Sequence, residues 1–461
     1  MRYFLFIYDD YICIPIAFYL DFSQKYGIIN LLRCFLHKLY LYTRRKDIIN
    51  MLKGNAIVGQ SGGPTTAINA TLAGVIKGAF ESEAIDIIYG AHNGVEGMLD
   101  GRITNLNEVI KSEMDFKLLA STPAAALGSC RRKLPKMGED DAVYEKLFDF
   151  FKANNIHYFF YIGGNDSMDT VAKVSAYAEA HNYEIKVMGV PKTIDNDVVG
   201  TDHTPGYGSA SKYIATSMQE ILRDCAVYTV KAVTIVEIMG RDAGWLTVAA
   251  GLPRIINGIG PDYIYLPERA FDIDKFIEDV KTALEKHPNV VIAVSEGLRD
   301  ADGKYVGESA QSGATDVFGH KYLSGTGKSL ELIVKEKIGC KVRSIELNLL
   351  QRCAAHCASK TDIEESLMVG AAAVKNATEG ISGKMMCFTR TSSNPYTVEA
   401  TYADIEKIAN QVREVPAEFI NEAGNNVTDE CLEYIKPLIS GESEVFWKDG
   451  LPSHFAINYL G

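Results

Sequence analysis

The chain has 461 residues, 47% apolar and 23% charged, with a formal net charge of −12 at pH 7. That length allows two or three ordinary domains, and the composition is that of a globular chain with a core to bury. The acidic balance argues against a nucleic-acid partner, because phosphate backbones are held by an excess of Lys and Arg. It leaves room for a local basic pocket that takes a small phosphorylated molecule. Nine cysteines in a chain this long do not make a disulfide framework.

The first 50 residues differ from the rest: aromatic, patchy and without glycine except Gly27. The apolar run at 11–20 is bracketed by Asp9, Asp10 and Asp21 and is too short to span a membrane. It also lacks the basic flank and cleavage pattern of a signal peptide. Residues 1–50 are therefore expected to be a dispensable extension or the product of a start placed too early, with membrane association as the lesser alternative.

From Met51, short apolar runs alternate with amphipathic ones. Residues 56–58 read as a strand, followed by a glycine turn and a helix at 67–80. Further strands are expected at 85–89, 158–162 and 185–190, with a helix at 142–154. A second series places strands at 233–238, 264–266 and 290–294, and a helix at 273–286 capped by Asp272. A helix at 361–377 comes after the stretch 343–352. The alternation predicts an α/β fold built from βαβ units, as two lobes, each a mostly parallel sheet flanked by helices. The expected division gives one lobe 51–208 with 350–461 and the other 209–349. The tail from Thr389 on, with Arg390, Tyr396 and Tyr402, carries no readable motif.

The chemistry concentrates in loops that follow apolar strands, where open α/β sheets bind ligands. Gly59-Gln60-Ser61-Gly62-Gly63 lets backbone N–H groups approach phosphate oxygens, or is simply a tight turn. Gly163-Gly164-Asn165-Asp166-Ser167 and Pro191-Lys192-Thr193-Ile194-Asp195-Asn196-Asp197 are acidic turns. Alternation aims Asp195 and Asp197 differently, so one can accept a proton while the other orients a loop or a metal; an Asx-rich turn is the plainer alternative. Lys192 beside these acids suggests an anionic substrate. Leu127-Gly128-Ser129-Cys130-Arg131-Arg132-Lys133 is a basic cluster suited to phosphoryl oxygens, or a solvated face. Met239-Gly240-Arg241 ends another strand, and Arg343 and Arg352 enclose Glu346, Asn348 and Gln351; each arginine can take a phosphate bidentately or form an ordinary surface pair.

Two further patterns mislead. Ser324-Gly325-Thr326-Gly327-Lys328-Ser329 imitates a P-loop, but Tyr322 stands where the first glycine is required. Cys353, His356 and Cys357 sit at helical spacing, yet with no second pair nearby they read better as core cysteines on a buried helix face than as a metal site.

Taken in order, SGGP, LGSCR, GGNDS, PKTIDND, EIMGR, SEG and RSIELNLLQR resemble the phosphofructokinase family across essentially all of the chain from Met51. The resemblance implies a phosphofructokinase-like kinase that transfers a phosphoryl group to the 1-hydroxyl of fructose 6-phosphate. It implies Mg²⁺, a cytoplasmic place in glycolysis, and a homodimer or homotetramer. By the same resemblance Asp195 takes the proton of that hydroxyl, Gly62 and Gly63 lie against the donor, and Arg131 lies on the transferred group. Thr193, Ile194, Asp195, Met239, Gly240, Arg241, Glu296, Arg343 and Arg352 would hold the sugar phosphate, and Asn165, Asp166 and Asp197 the metal.

The donor is read from two departures. Family members that use ATP generally carry GGDGS and PGTIDND; here Asp166 and Lys192 replace a glycine in each. A carboxylate fills the hole meant for a nucleotide's α-phosphate and, if desolvated, repels it at a cost on the order of several kcal/mol. Lys192 instead pairs with the end of a shorter, highly charged donor. Both changes resemble the pyrophosphate-dependent branch, so inorganic pyrophosphate is the expected donor, held by Gly62, Gly63, Arg131, Asp166 and Lys192, with fructose 1,6-bisphosphate and phosphate formed reversibly. An ATP-dependent kinase and a catalytically silent sugar-phosphate-binding subunit are the alternatives. Asn165 replaces the family's metal-associated Asp, Leu349 a sugar-phosphate His, and Ala232 an Arg that crosses between subunits, with Lys231 adjacent.

Overall fold

The computed structural model describes residues 2–9, 12–19, 52–307, 325–408 and 411–457. Residues 1–51 and 52–461 are separate units. In the first, Arg2–Asp9 (β1) and Ile12–Tyr19 (β2) pair antiparallel, from Arg2 opposite Tyr19 to Asp9 opposite Ile12. Both strands are rich in Tyr, Phe and Ile, which favour extended backbone. The remainder of the expected extension, Met51 at the domain start, and Tyr322 and Ser324 lie outside the described residues.

The second unit opens with Gly54–Gln60 (β3), Ile68–Glu81 (α1), Ile85–Ala91 (β4), Ile103–Asn105 (β5) and Asp141–Ala153 (α2). Ile156–Gly163 (β6), Asn165–Ala180 (α3), Lys186–Pro191 (β7) and Tyr207–Cys225 (α4) follow. Next come Ala232–Ile238 (β8), Tyr263–Tyr265 (β9), Ile273–Lys286 (α5), Asn289–Ser295 (β10), Thr326–Ile338 (α6) and Lys341–Glu346 (β11). Lys360–Thr378 (α7), Lys384–Ser393 (β12) and Tyr396–Asp404 (β13) complete the labelled elements.

Seven strands form one sheet in the order β13-β12-β7-β6-β3-β4-β5, parallel inside and antiparallel at both edges. The other sheet, β11-β8-β10-β9, is wholly parallel. The chain is thus an α/β protein with two mostly parallel sheets flanked by helices.

The local reasons are readable. β6 is buried along nearly its whole length, as expected of a parallel strand covered on both faces. In α2, Tyr144, Leu147, Phe148 and Phe151 recur at helical spacing and are all buried. The Asp272 side chain accepts from Asp274 N and Lys275 N at the start of α5, as predicted. α1 and α7 cross closely because glycines face each other's backbone. A Cβ on Gly74 would sit 2.2 Å from Leu367 O, and one on Gly370 would sit 2.3 Å from Thr71 O.

The tail that carries no motif supplies structure instead. β12 extends the large sheet beside β7, and β13 closes its edge. Beyond it, Val415, Leu432 and Leu438 are buried in one core with Tyr207, Trp245 and Leu252. The cysteine expectation is corrected here: Cys353 and His356 are exposed and Cys357 is half-buried. They lie on a four-residue helix and a 3-10 turn too short to present a buried face. Among the described residues no helix is long and apolar enough to cross a membrane.

Candidate active site

The parallel strands of both sheets end at one cavity of about 690 Å³. β3, β6 and β7 deliver the loops that begin at Ser61, Gly164 and Lys192; β8, β10 and β11 deliver Met239, Glu296 and Glu346. Each strand places its first polar loop residues where the sheet's cover of helices stops.

Gly62 has φ 78°, a left-handed conformation that suits glycine. Its N–H donates to Cys130 O at 3.1 Å, and Ser129 Oγ donates to Gly62 O. The glycine turn and the basic cluster therefore meet, which brings Arg131 to the cavity. A Cβ on Gly62 would lie 3.5 Å from Lys192 Nζ, and one on Gly63 3.3 Å from Arg352 Nη1.

Lys192 is 1% exposed, and its Nζ donates to Gly63 O at 2.6 Å. Burial, opposed by Asp195 but reinforced by Arg352 and Arg131, pulls its pKa down to about 7. Burial also lowers the pKa of Arg352, with Arg131 adding to the effect. Three cations thus crowd one corner, with Asp195 close enough to act on Lys192 and Arg352.

Asp195 lies beside them. Its backbone N–H donates to Thr193 Oγ1 at 3.1 Å, and Thr193 Oγ1 donates to Asp195 Oδ2 at 3.3 Å. Burial raises its pKa despite the opposing pull of Thr193, Arg241, Lys192 and Arg352. Asn196, at φ 55°, turns the loop and accepts from Thr204 N at 3.1 Å. Asp197 O accepts from Arg413 N at 2.7 Å.

The opposite wall is acidic. Burial, with Asp195 and Glu237 nearby, pushes Glu296 up to about 8, although Gly240 N donates to it at 3.2 Å. Burial takes Glu237 up to about 7. Glu237 Oε2 accepts from Gly327 N at 2.7 Å, so the sequence that imitates a P-loop holds a carboxylate at the start of α6. Arg241 reaches the cavity with its Nε buried and unpartnered.

The cavity unites Gly62, Gly63, Arg131, Asn165, Asp166, Lys192, Thr193, Ile194, Asp195, Asp197, Met239, Arg241, Glu296 and Arg352, with Gly240 between two of its lining residues. Arg343 is not among them. It is exposed on β11, the edge strand of the smaller sheet, beside a hollow of about 30 Å³ shared with Tyr228 and Lys341. The premise of a desolvated Asp166 is also corrected. Its side chain is 38% exposed and lies 3.0 Å from Lys133 Nζ, so it fills space without a large buried-charge penalty. Ser61 and Glu237, quoted above only within their motifs, line the cavity as well. A lone carboxylate near the end of the apolar run 233–238 was the available signal for Glu237.

A cationic corner, a buried carboxylate and a second wall with an arginine whose Nε has no hydrogen-bond partner, at the ends of two mostly parallel sheets, fit a phosphotransferase. The phosphofructokinase family model matches residues 55–377. The chain is 42% identical over 410 residues to pyrophosphate–fructose 6-phosphate 1-phosphotransferase of Xanthomonas campestris, covering 88% of this chain and 97% of that one. It is 39% identical over 410 residues to the protein of the same name from Methylococcus capsulatus, covering 88% and 96%. The crystal structure of pyrophosphate-dependent phosphofructokinase from Nitrosospira multiformis superposes with a TM-score of 0.80 at 38% identity, covering 88% of this chain and 97% of that one. The chain belongs to the phosphofructokinase family.

Proposed function

We infer that the chain transfers a phosphoryl group from inorganic pyrophosphate to the 1-hydroxyl of fructose 6-phosphate, reversibly, giving fructose 1,6-bisphosphate and phosphate. The observation that carries this reading is the fully buried Lys192 among Arg131 and Arg352. Cations gathered at the glycine turn suit a compact polyanion, and pyrophosphate is one. The names of the relatives support the same donor. An ATP site would need Asp166 and Lys192 to move aside, yet Asp166 is paired with Lys133 and Lys192 is anchored on Gly63 O.

Asp195 accepts the proton of the sugar hydroxyl as its oxygen attacks phosphorus and the bridging P–O bond breaks. Its raised pKa makes it a stronger base than a free carboxylate. Lys192 and Arg131 hold the leaving phosphate and the charge that develops in transfer; Arg352, expected on the sugar phosphate, lies against Gly63 and is read here with the donor. Gly62 and Gly63 leave the backbone open to the pyrophosphate. Thr193, Ile194, Met239, Gly240, Arg241 and Glu296 form the sugar-phosphate side, the unpartnered Nε of Arg241 being a donor for its phosphate.

Mg²⁺ is the cation this chemistry implies. Asn165 Oδ1 is buried without a hydrogen-bond partner, and Asn165 Nδ2 lies 3.5 Å from Asp197 Oδ2. Burial and the charge of Asp195 push Asp197 up to about 7, the state of a carboxylate short of a counter-charge. Among the described residues no group of three or more His, Cys, Asp or Glu could hold a metal, which suits an ion that takes one or two protein ligands and completes its shell from phosphates and water. Asn165 and Asp197 would hold it, with Asp166 nearby but engaged by Lys133. When bound, the ion neutralises phosphoryl oxygens.

Association of copies into a dimer or tetramer is part of the same reading. Arg343 stands on an edge strand beside exposed Tyr228 and Val230, a surface on which a second copy would bring Arg343 to its sugar phosphate. The cytoplasm is the compartment in which these substrates would be met.

The test is initial rates with Mg²⁺, fructose 6-phosphate and either pyrophosphate or ATP as sole donor. Turnover with pyrophosphate alone is expected, together with the reverse reaction on adding phosphate. Turnover with ATP alone would overturn the donor assignment, and silence with both would favour a binding subunit.

A further inference from the structure

We propose that His203, bridging Asp202 and Glu365, is a positioning residue that holds the loop carrying Asp195 in its reactive geometry. The proposal rests on Asp195 being the base, and it names a residue that touches neither substrate nor metal.

The imidazole is 1% exposed. Nδ1 lies 2.9 Å from Asp202 Oδ1 and Nε2 lies 2.7 Å from Glu365 Oε2. Both neighbours are carboxylates, which only accept when ionised, so both ring nitrogens must carry protons and the ring must be the imidazolium. Its face stacks on Phe388, with ring centres 4.7 Å apart and an interplanar angle of 14°.

The groups packed round it balance. Asp202 comes from its own loop, Glu365 from α7 and Arg390 from β12. Arg390 Nη2 lies 2.9 Å from Asp202 Oδ1. Tyr396 of β13 donates to Glu365 Oε1 at 2.7 Å, and Tyr434 donates to Asp202 Oδ2 at 3.0 Å. Arg413 lies behind Tyr434, donating to its hydroxyl at 3.0 Å. Asp362, one turn before Glu365, is occupied by Gly206 N and Ser209 N, each at 2.9 Å. Two carboxylates thus face two cations at the centre, and a neutral ring would leave one negative charge buried and uncompensated. Burial alone would lower the ring's pKa; its bonds to Asp202 and Glu365 and their charges outweigh that and raise it. Burial likewise opposes Asp202, yet His203 and Arg390 draw it down to about 2.

The link to the reactive loop is a set of hydrogen bonds through the next residue. Thr204 N donates to Asn196 Oδ1 at 3.1 Å and Thr204 Oγ1 donates to Thr193 O at 2.8 Å. Thr193 N donates to Pro205 O at 3.2 Å. The segment 201–206 therefore grips Asp195 from both sides, and His203 pins that segment to α7 and β12.

The test measures kcat and KM of His203→Gln and Glu365→Gln across pH, with native content followed by thermal melting. His203→Gln is expected to lower kcat roughly 10- to 100-fold, the scale of a small misplacement of a reacting group, with KM for both substrates little changed. Glu365→Gln removes one carboxylate and so lowers the ring's pKa. Its kcat should approach the parent's at about pH 6, below the ring's ordinary 6.5, and fall at about pH 8.5. Taken as a ratio to the parent at each pH, this loss is separated from any limb that Lys192 imposes on both proteins. A variant-to-parent ratio that does not change with pH, an unchanged kcat in His203→Gln, or a loss that merely follows lost native content would overturn the proposal. Because the parent is assayed in parallel with pyrophosphate and with ATP, an error in the donor assignment appears there and leaves the pH comparison intact.

Discussion

Round the glycine turn at the end of the larger sheet, Lys192 and Arg131 are met by Arg352 from the short helix after β11; on the wall built by the smaller sheet, Glu237 and Glu296 lie beside Arg241. Burial strains both groups in opposite senses. It strips protons from the lysine, drawing it to about 7, and drives protons onto Glu296, to about 8. The first wall gathers cations, which suits an anion. On the proposed reading the second takes the sugar, whose hydroxyls can meet a carboxyl in either protonation state. Asp195 stands where the two meet, with cations from both sides, Lys192 and Arg241 among them, drawing on its charge.

The comparison is broken most severely at that junction. Asp195→Asn should lower kcat by roughly 10²- to 10⁴-fold with a modest change in KM, read from steady-state rates. Near-normal turnover would remove Asp195 as the base.

Lys192→Met tests the cationic wall alone. The rate with pyrophosphate should fall by roughly 10²- to 10³-fold, the scale of losing one preorganised donor. The ligand-free protein should melt at a higher temperature, because an apolar side chain replaces a buried ammonium whose charge is disfavoured there. A variant that is both slower and less stable would mean that Lys192 holds the fold together through Gly63 rather than awaiting a ligand.

Replacing Asp166 and Lys192 together by glycine sharpens the same contrast. It should shift preference towards ATP by about tenfold or more, equivalent to about 1.4 kcal/mol. No shift would place donor selection elsewhere.

The smallest effect belongs to the acidic wall. Glu296 has a folded pKa raised from 4.5 to about 8, so it favours the folded state when protonated. Its contribution is whole below 4.5 and is lost as pH rises to about 8. Chemical unfolding of the ligand-free protein should therefore show stability declining across that window, and Glu296→Gln should flatten the decline. An unchanged slope would assign the decline to another group.

Much of the site was readable because its motifs are contiguous. Gly62, Lys192, Thr193, Asp195 and Asp197 lie in short loops after apolar strands, and strand polarity alone sends such loops to one edge of a sheet. What could not be read depends on distant segments. The 3.0 Å pair between Lys133 and Asp166 changes the electrostatics of the donor pocket, and it needs two loops brought together. Arg343 carries the right chemistry at the right place in its motif, yet β11 is an edge strand and holds it away from this chain's cavity. Glu237 looks like an interruption of a strand until Gly327 is folded against it.

The sequence by itself determined the βαβ alternation, the loops that bear the chemistry and the family, since hydrophobic period and turn residues act over a few positions. Only the tertiary structure decided which charges are buried, which are paired and which residues stand behind the loop that carries Asp195. Arg390 and Tyr396 belong to a tail without a motif, yet they meet Asp202 and Glu365 round His203. Burial and pairing depend on what the rest of the chain packs over a side chain, and that cannot be read from its neighbours in sequence.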